Sequence, residues 1–68
     1  MNLYKLDLCL HQKVLRTSLF TNKKSYNAHL ADLTHFAKEN YPEQLVNLDL
    51  TIKYYCNDNL LKYFVLKC

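Results

Sequence analysis

The chain contains no glycine among its 68 residues, although the usual frequency of about 7% predicts roughly five. Glycine lets the backbone approach a phosphate closely or pass through a strained turn. Its absence therefore excludes the phosphate-binding loop, the dinucleotide-binding fingerprint and the nucleophile elbow. Nucleotide-dependent chemistry is disfavoured, and we expect a protein that is not an enzyme and uses no cofactor.

Signals for export, membrane insertion and a disulfide framework are missing as well. The N-terminus carries Asp7 within its apolar stretch and has no cleavage site of small residues, so neither a signal peptide nor a membrane span is expected. Cys9, Cys56 and Cys68 form an odd set without regular spacing. We expect free thiols in a reducing cytoplasm and no membrane contact, with a Cys56–Cys68 disulfide as the alternative.

The composition is that of one small folded domain, residues 1–68. Half of the residues are apolar and 22% are charged, which is too hydrophobic for a disordered chain. A domain of this size buries only about 60% of its unfolded surface. We expect apolar surface to stay exposed until a protein partner or a second copy of the chain covers it. The net charge of +3 also permits contact with nucleic acid or with an acidic protein surface.

Alternation of apolar and polar residues predicts a half-buried strand over residues 2–10. Its apolar face carries Tyr4, Leu6, Leu8 and Leu10, and its polar face carries Lys5, Asp7 and Cys9. Residues 11–20 are ambiguous, because the spacing of Leu15 and Leu19 suits a short helix. The β-branched Val14 and Thr17 favour a second strand, joined to the first by a turn near residues 11–13.

Residues 21–42 predict one amphipathic helix of about four turns. Its apolar stripe consists of Tyr26, Leu30, Leu33 and Ala37. Ser25 is the expected N-cap, and Asn22 is the alternative. At the other end, Asn40 can adopt the left-handed conformation that stops a helix, and Pro42 prevents its continuation.

The C-terminal third predicts two more strands. Residues 44–55 alternate, with Val46, Leu48, Leu50, Ile52 and Tyr54 on one face. The segment 57–59 tolerates positive φ and can close a hairpin without glycine. The last strand is apolar on both faces, which is typical of a central strand or of one covered on its second side. The sequence therefore predicts an α+β fold of ββαββ order, one amphipathic helix packed on a three- to four-stranded, mostly antiparallel sheet.

Lysines alternate with aromatic residues in this last hairpin. We expect the sheet face opposite the helix to carry Lys5, Lys53, Tyr55, Lys62, Phe64 and Lys67. The residues expected to bind a partner are Lys53, Tyr55, Lys62, Tyr63, Phe64 and Lys67. Aromatic anchors inside a polar rim supply most of the energy of protein interfaces, and a free sheet edge can extend a partner's sheet. The opposite interpretation is that these rings fill a core that lacks tryptophan.

Potential metal ligands are poorly spaced. Cys9 and His11 are the only close pair, and on a strand they would point to the same face. Structural zinc sites use closely spaced pairs of ligands, whereas His29 and His35 diverge on a helix. We therefore expect no metal site.

Two aspartates, Asp7 and Asp49, are each flanked by leucines. Neighbouring strands would bring the two carboxylates together and raise the pKa of one of them. Cross-strand ion pairs with Lys5 and Lys53 are the simpler expectation.

The missing catalytic motifs and the high apolar content favour a small, non-catalytic protein-binding module that occludes a surface of its partner. In size and format the chain resembles the small proteins with which phages and mobile elements inhibit host machinery, anti-CRISPR proteins among them. That resemblance implies a protein partner that handles nucleic acid. The alternative is a small RNA- or DNA-binding domain that uses the basic and aromatic face of its sheet.

Overall fold

Two hairpins and one long helix make up the fold. The computed structural model describes residues 1–67; Cys68, and with it the alternative Cys56–Cys68 disulfide, lies outside the described residues. The strands are β1 (Tyr4–Leu10), β2 (Lys13–Phe20), β3 (Leu50–Cys56) and β4 (Asn59–Val65). Between β2 and β3 lie a 3₁₀ turn (Lys23–Ser25), helix α1 (Tyr26–Asn40) and a short helix α2 (Pro42–Val46). The predicted α+β fold of ββαββ order is confirmed, and the ambiguous segment after residue 12 is a strand.

The sheet has the order β2-β1-β3-β4, and every neighbouring pair is antiparallel. The two hairpins therefore meet through the central pair β1–β3, in which Leu8 lies opposite Ile52. β4 lies at an edge of the sheet, so its two apolar faces do not mark a central strand. One of those faces packs on the core, and the other is exposed to solvent.

The hydrophobic core lies between the sheet and α1. Its most deeply buried residues are Leu6, Leu8, Leu33, Ala37, Leu50 and Ile52. Burying a leucine or isoleucine side chain contributes about 1.5–3 kcal/mol. Because side chains alternate along a strand, that gain fixes which face of β1 and β3 meets the helix.

The side-chain cap of the helical segment lies three residues earlier than expected, at Asn22 and not at Ser25. The side-chain oxygen of Asn22 accepts a hydrogen bond from the Lys24 backbone N–H at 3.0 Å and so caps the 3₁₀ turn. Ser25 makes no side-chain cap bond, and its hydroxyl donates to the Asn22 carbonyl at 2.7 Å. Ser25 thus occupies the expected N-cap position of α1 without making the cap bond, because the chain enters α1 through this extra turn, and the side-chain cap bond is made by Asn22, the alternative.

Pro42 ends α1 but also begins α2, an element that the sequence pattern did not predict. Proline is favoured at the first helical position, where its missing N–H is not needed. Val46 therefore belongs to a helix and is exposed, and β3 begins only at Leu50. The strand predicted over residues 44–55 was therefore wrong for residues 44–49.

The end of α2 has a Schellman geometry. The N–H groups of Leu48 and Asp49 donate to the carbonyls of Leu45 and Gln44 at 3.2 and 2.9 Å. Leu48 has a φ of 61°, the left-handed conformation that usually belongs to glycine at this position. Asn40, which was expected to adopt this conformation, lies within α1 instead.

The β3–β4 turn is the one that the sequence predicted. Asn57 and Asp58 have φ of 51° and 69°, as a two-residue hairpin of type I′ requires. Asn57 also exchanges two hydrogen bonds with Leu3, one through its N–H at 2.8 Å and one through its Oδ1 at 2.9 Å. The turn is thereby fixed to the chain that leads into β1.

Candidate interaction surface

The sheet face turned away from α1 is the candidate functional site, and we call it the open face. Its side chains come from all four strands: Val14, Thr17 and Leu19 of β2; Lys5, Asp7 and Cys9 of β1; Thr51, Lys53 and Tyr55 of β3; Leu60, Tyr63 and Val65 of β4. The core residues occupy the other face. Within residues 1–67, neither helix packs on the open face.

The centre of the open face is polar but shielded from water. Asp7 is only 5% exposed and lies between Thr17 on β2 and Lys53 on β3. The Thr17 hydroxyl donates to the Asp7 carboxylate at 2.7 Å. Nearby, the Lys5 ammonium lies 4.4 Å from the centroid of the Tyr55 ring. Lysine stems and aromatic rings cover apolar surface well, which accounts for the low exposure of this central row.

Cys9 is completely buried beside Asp7, although it faces away from the core. Burial raises the pKa of its thiol above the ordinary 9.0; the positive charge of Lys53 opposes this shift, and the charge of Asp7 adds to it. The thiol is protonated at neutral pH and is a poor nucleophile. Its sequence neighbour His11 lies in the β1–β2 turn with a φ of 56°. In residues 1–67 no three His, Cys, Asp or Glu side chains lie close enough together to hold a metal ion.

The borders of the open face are apolar and exposed. On β2, Val14 and Leu19 are 49% and 58% exposed. On β4, the exposure of Leu60, Tyr63 and Val65 is 49%, 70% and 42%. Large apolar side chains in adjacent exposed positions are typical of surfaces that bind another molecule.

Three of the predicted partner-binding residues lie together on the open face. Lys53 is the direct cross-strand partner of Tyr63, and Tyr55 follows two positions along β3. Lys67 follows the end of β4 and is exposed.

Lys62 and Phe64 point to the other face, so their expected position on the open face was wrong. Phe64 pairs with Ile52 and packs against the core. Lys62 pairs with Tyr54, and its ammonium lies 5.0 Å from the centroid of the Tyr26 ring.

A single extra residue in β4 causes this reversal. Tyr55 pairs with Leu60, but Tyr54 pairs with Lys62, so Leu61 is a bulge without a direct partner. A shift of one residue moves all following side chains to the opposite face of a strand. A regular hairpin around the same turn would have placed Lys62 and Phe64 on the open face.

The helix-side contacts of the histidines and the position of Asp49 were not predicted. His29 Nδ1 lies 2.7 Å from the Ser18 hydroxyl, and its ring stacks on Phe20 with centroids 4.5 Å apart. His35 contacts Glu39 at 3.0 Å on the exposed side of α1. Asp49 precedes β3 and does not pair with Asp7, whose partner on that strand is Lys53.

A basic cleft lies on the helix side, at the start of α1. It has a volume of about 280 Å³ and is lined by Lys23, Lys24, Tyr26, Asn27, Tyr54 and Lys62. The adjacent pair Lys23 and Lys24 was the only hint of this cleft in the sequence. The register of β4 brings the third lysine to them.

The chain matches no protein-family model, no curated protein and no solved structure at a significant level. Within residues 1–67, no helix has the length and apolar character that a membrane crossing requires.

Proposed function

We propose that the protein is a small, non-catalytic protein-binding module that docks on its partner with the open face and occludes the surface beneath. The observation that carries this proposal is the exposure of Leu60, Tyr63 and Val65 along one border of that face. A chain of this size buries little apolar surface in its core, and apolar side chains that stay in water add nothing to the free energy of folding. Removal of these side chains from water by a partner would contribute favourable free energy to binding.

The arrangement of charge favours a partner with an acidic rim around an apolar patch. Lys5 and Lys53 lie at the centre of the open face, and the chain as a whole carries +3. Charge complementarity of this kind accelerates association and fixes orientation more than it adds affinity. Tyr63 is the expected anchor, because tyrosine is enriched among the residues that dominate binding energy.

The test is a matched pair of alanine variants measured against the partner captured from the source cell. Tyr63→Ala should weaken binding at least tenfold, which corresponds to about 1.4 kcal/mol, without a loss of folded structure. Val46→Ala is the control, since Val46 is 75% exposed but lies on α2 and not on the open face. Equal effects of the two substitutions, or unchanged binding by Tyr63→Ala, would contradict the proposal.

The cellular setting follows from the same proposal. A reducing cytoplasm suits a chain in which Cys9 and Cys56 are free thiols. Inhibition of host machinery by a phage or mobile-element protein stays a prediction, based on size and format alone.

A nucleic-acid-binding function is the second candidate, and the basic cleft favours it. Lys23, Lys24 and Lys62 line one cavity beside two tyrosines, a composition suited to phosphate groups. This surface lies on the helix side, not on the open face where the sequence suggested it. RNA or DNA binding should fall steeply as salt rises, and Lys23→Ala with Lys24→Ala should reduce that salt dependence. A partner held by Tyr63 should respond little to salt.

A further inference from the structure

The basic cleft at the start of α1 concentrates positive charge in a small space. Three of the nine cationic residues of the chain line it, Lys23, Lys24 and Lys62, and none of the six acidic residues does. Among residues 1–67, no carboxylate lies within 4.0 Å of any of these three ammonium groups. Like charges that share one cleft repel each other and destabilise the folded chain. A bound anion would remove that repulsion.

One of the three lysines, Lys62, is held in place by aromatic rings. Its ammonium lies 5.0, 5.8 and 5.9 Å from the ring centroids of Tyr26, Tyr54 and Phe64, within the range of cation–π contacts. A lysine that is already ordered loses less side-chain entropy when it binds a ligand. Lys62 is nevertheless exposed to solvent, so its N–H donors are accessible to an anion.

The other two lysines, Lys23 and Lys24, lie where a helix disfavours cations. Both belong to the 3₁₀ turn that leads into α1, next to the positive end of the helix dipole. The first turn of α1 contains no acidic residue that would balance them. Protection of the edge of β4 explains an inward-pointing lysine at position 62. It does not explain why two lysines of a different element line the same cleft.

We infer that the basic cleft binds a terminal phosphate group, which carries about two negative charges near neutral pH. The three acceptor oxygens of such a group match donors that come from three separate lysines. An internal phosphodiester of a nucleic acid strand carries only one charge, so it would leave most of the positive charge of the cleft unbalanced. The cleft volume of about 280 Å³ is close to the lower limit of small-molecule sites, about 300 Å³.

This inference narrows the second candidate function and does not rest on the open-face proposal. Tyr26 and Tyr54 contact each other, with centroids 4.8 Å apart, and both contact Lys62. We therefore assign these rings to holding the ammonium and not to stacking on a base. A site of this kind recognises the phosphate group itself. That group can come from the phosphorylated end of a nucleic acid strand or from a small phosphorylated molecule, and the experiment distinguishes the two sources.

Inorganic phosphate is the first probe. Its titration into the full-length chain at constant ionic strength should shift the amide NMR signals of residues 23–27 and 62 until they saturate, whereas chloride should not. Lys24→Ala should weaken phosphate binding about fivefold. Lys13→Ala is the matched control, because it removes the same charge at the start of β2, and it should leave binding unchanged. The same spectra report whether each variant is folded. Equal weakening by the two substitutions would reflect net charge alone and would overturn the inference.

Two single-stranded oligonucleotides of the same sequence, one with a 5′-phosphate and one with a 5′-hydroxyl, identify the source of the group. Binding of the phosphorylated strand that is tighter by about fivefold, and loses this advantage in Lys24→Ala, assigns the cleft to strand ends. Saturable binding of inorganic phosphate without such a preference assigns it to small phosphorylated molecules.

The absence of both effects overturns the inference. Equal binding of the two oligonucleotides, together with no saturable response to inorganic phosphate, would leave the strand backbone as the only phosphate ligand of the second candidate function. None of these measurements involves the partner of the open face, so failure of this inference and failure of the proposed function are separate results.

Discussion

Leu48 is the residue whose backbone is least suited to its side chain. Four residues of the described chain have positive φ: His11, Leu48, Asn57 and Asp58. Asparagine and aspartate tolerate this conformation, whereas for other residues with a Cβ it costs roughly 1–2 kcal/mol. Leu48 bears that cost because the helix cap of α2 requires a left-handed residue and the chain contains no glycine.

Leu48→Gly should therefore raise the free energy of unfolding by about 1 kcal/mol. The leucine side chain is more than half exposed, so its removal costs little burial. Urea unfolding measures the change through the midpoint at constant slope. Val46→Gly is the control, because Val46 lies within α2 and glycine there should lower stability by a similar amount. A lower stability of Leu48→Gly would mean that the side chain contributes more than the backbone strain costs.

At the scale of elements, β4 presents two neighbouring aromatic rings to different surroundings. Phe64 is half-buried against the core, and Tyr63 is exposed on the open face. Phe64→Ala should lower the free energy of unfolding by about 2 kcal/mol, less than a fully buried phenylalanine would. Tyr63→Ala should change it by less than about 0.5 kcal/mol.

Thermal unfolding followed by circular dichroism checks this pair of substitutions. A larger loss for Tyr63→Ala than for Phe64→Ala would mean that the register after Leu61 is that of a regular hairpin. Phe64→Ala is accordingly expected to weaken partner binding only through loss of folded protein, and it is a poor probe of the interface.

Local patterns were enough to predict β1, the helix and the β3–β4 turn. Each is dictated by residues close in sequence: the alternation from residue 4 to 10, a helical stripe, and the pair Asn57 and Asp58. α2 was missed because Val46 and Leu48 continue the alternation of β3 by position alone, whereas Pro42 starts a helix.

The candidate site was predicted for one half of its residues and misplaced for the other. Lys53 and Tyr55 lie on the open face as expected, and Tyr63, which was expected to bind a partner but on the other face of β4, lies there with them. Lys62 and Phe64 do not, because the bulge at Leu61 depends on how β4 packs against β3 and has no signal in the alternation itself. The burial of Asp7 and Cys9 could not be predicted either, since the alternation of β1 places both residues on its polar face.

For the molecule as a whole, stability should fall under alkaline conditions. Burial raises the pKa of Tyr54 above its ordinary 10.0, with smaller contributions from Tyr4, Cys56 and Tyr26, and burial raises the pKa of Cys9 above 9.0. Both groups lose their protons more readily in the unfolded chain. Their contribution to the free energy of unfolding is therefore fully present at neutral pH. It is lost as the pH rises from each group's ordinary pKa through its raised pKa in the folded chain.

Urea midpoints measured from neutral pH to pH 10.0, the ordinary tyrosine value, should decline progressively. In Cys9→Ala the decline from its own neutral value should be smaller, because one of the two groups is gone. A midpoint that does not change with pH in the wild type would show that neither hydroxyl nor thiol is shielded in the folded chain.

The pairing of β1 with β3 has a consequence for how the chain reaches this structure. Each hairpin joins residues that are neighbours in sequence, but the central pair joins the first strand to the third across the whole helical segment. Closing such a long loop is slow compared with forming a hairpin. Formation of the central pair is thus expected to be the slow step of folding. A cut between α1 and α2 would leave two peptides with one hairpin each, and these would form the four-stranded sheet only by associating with each other.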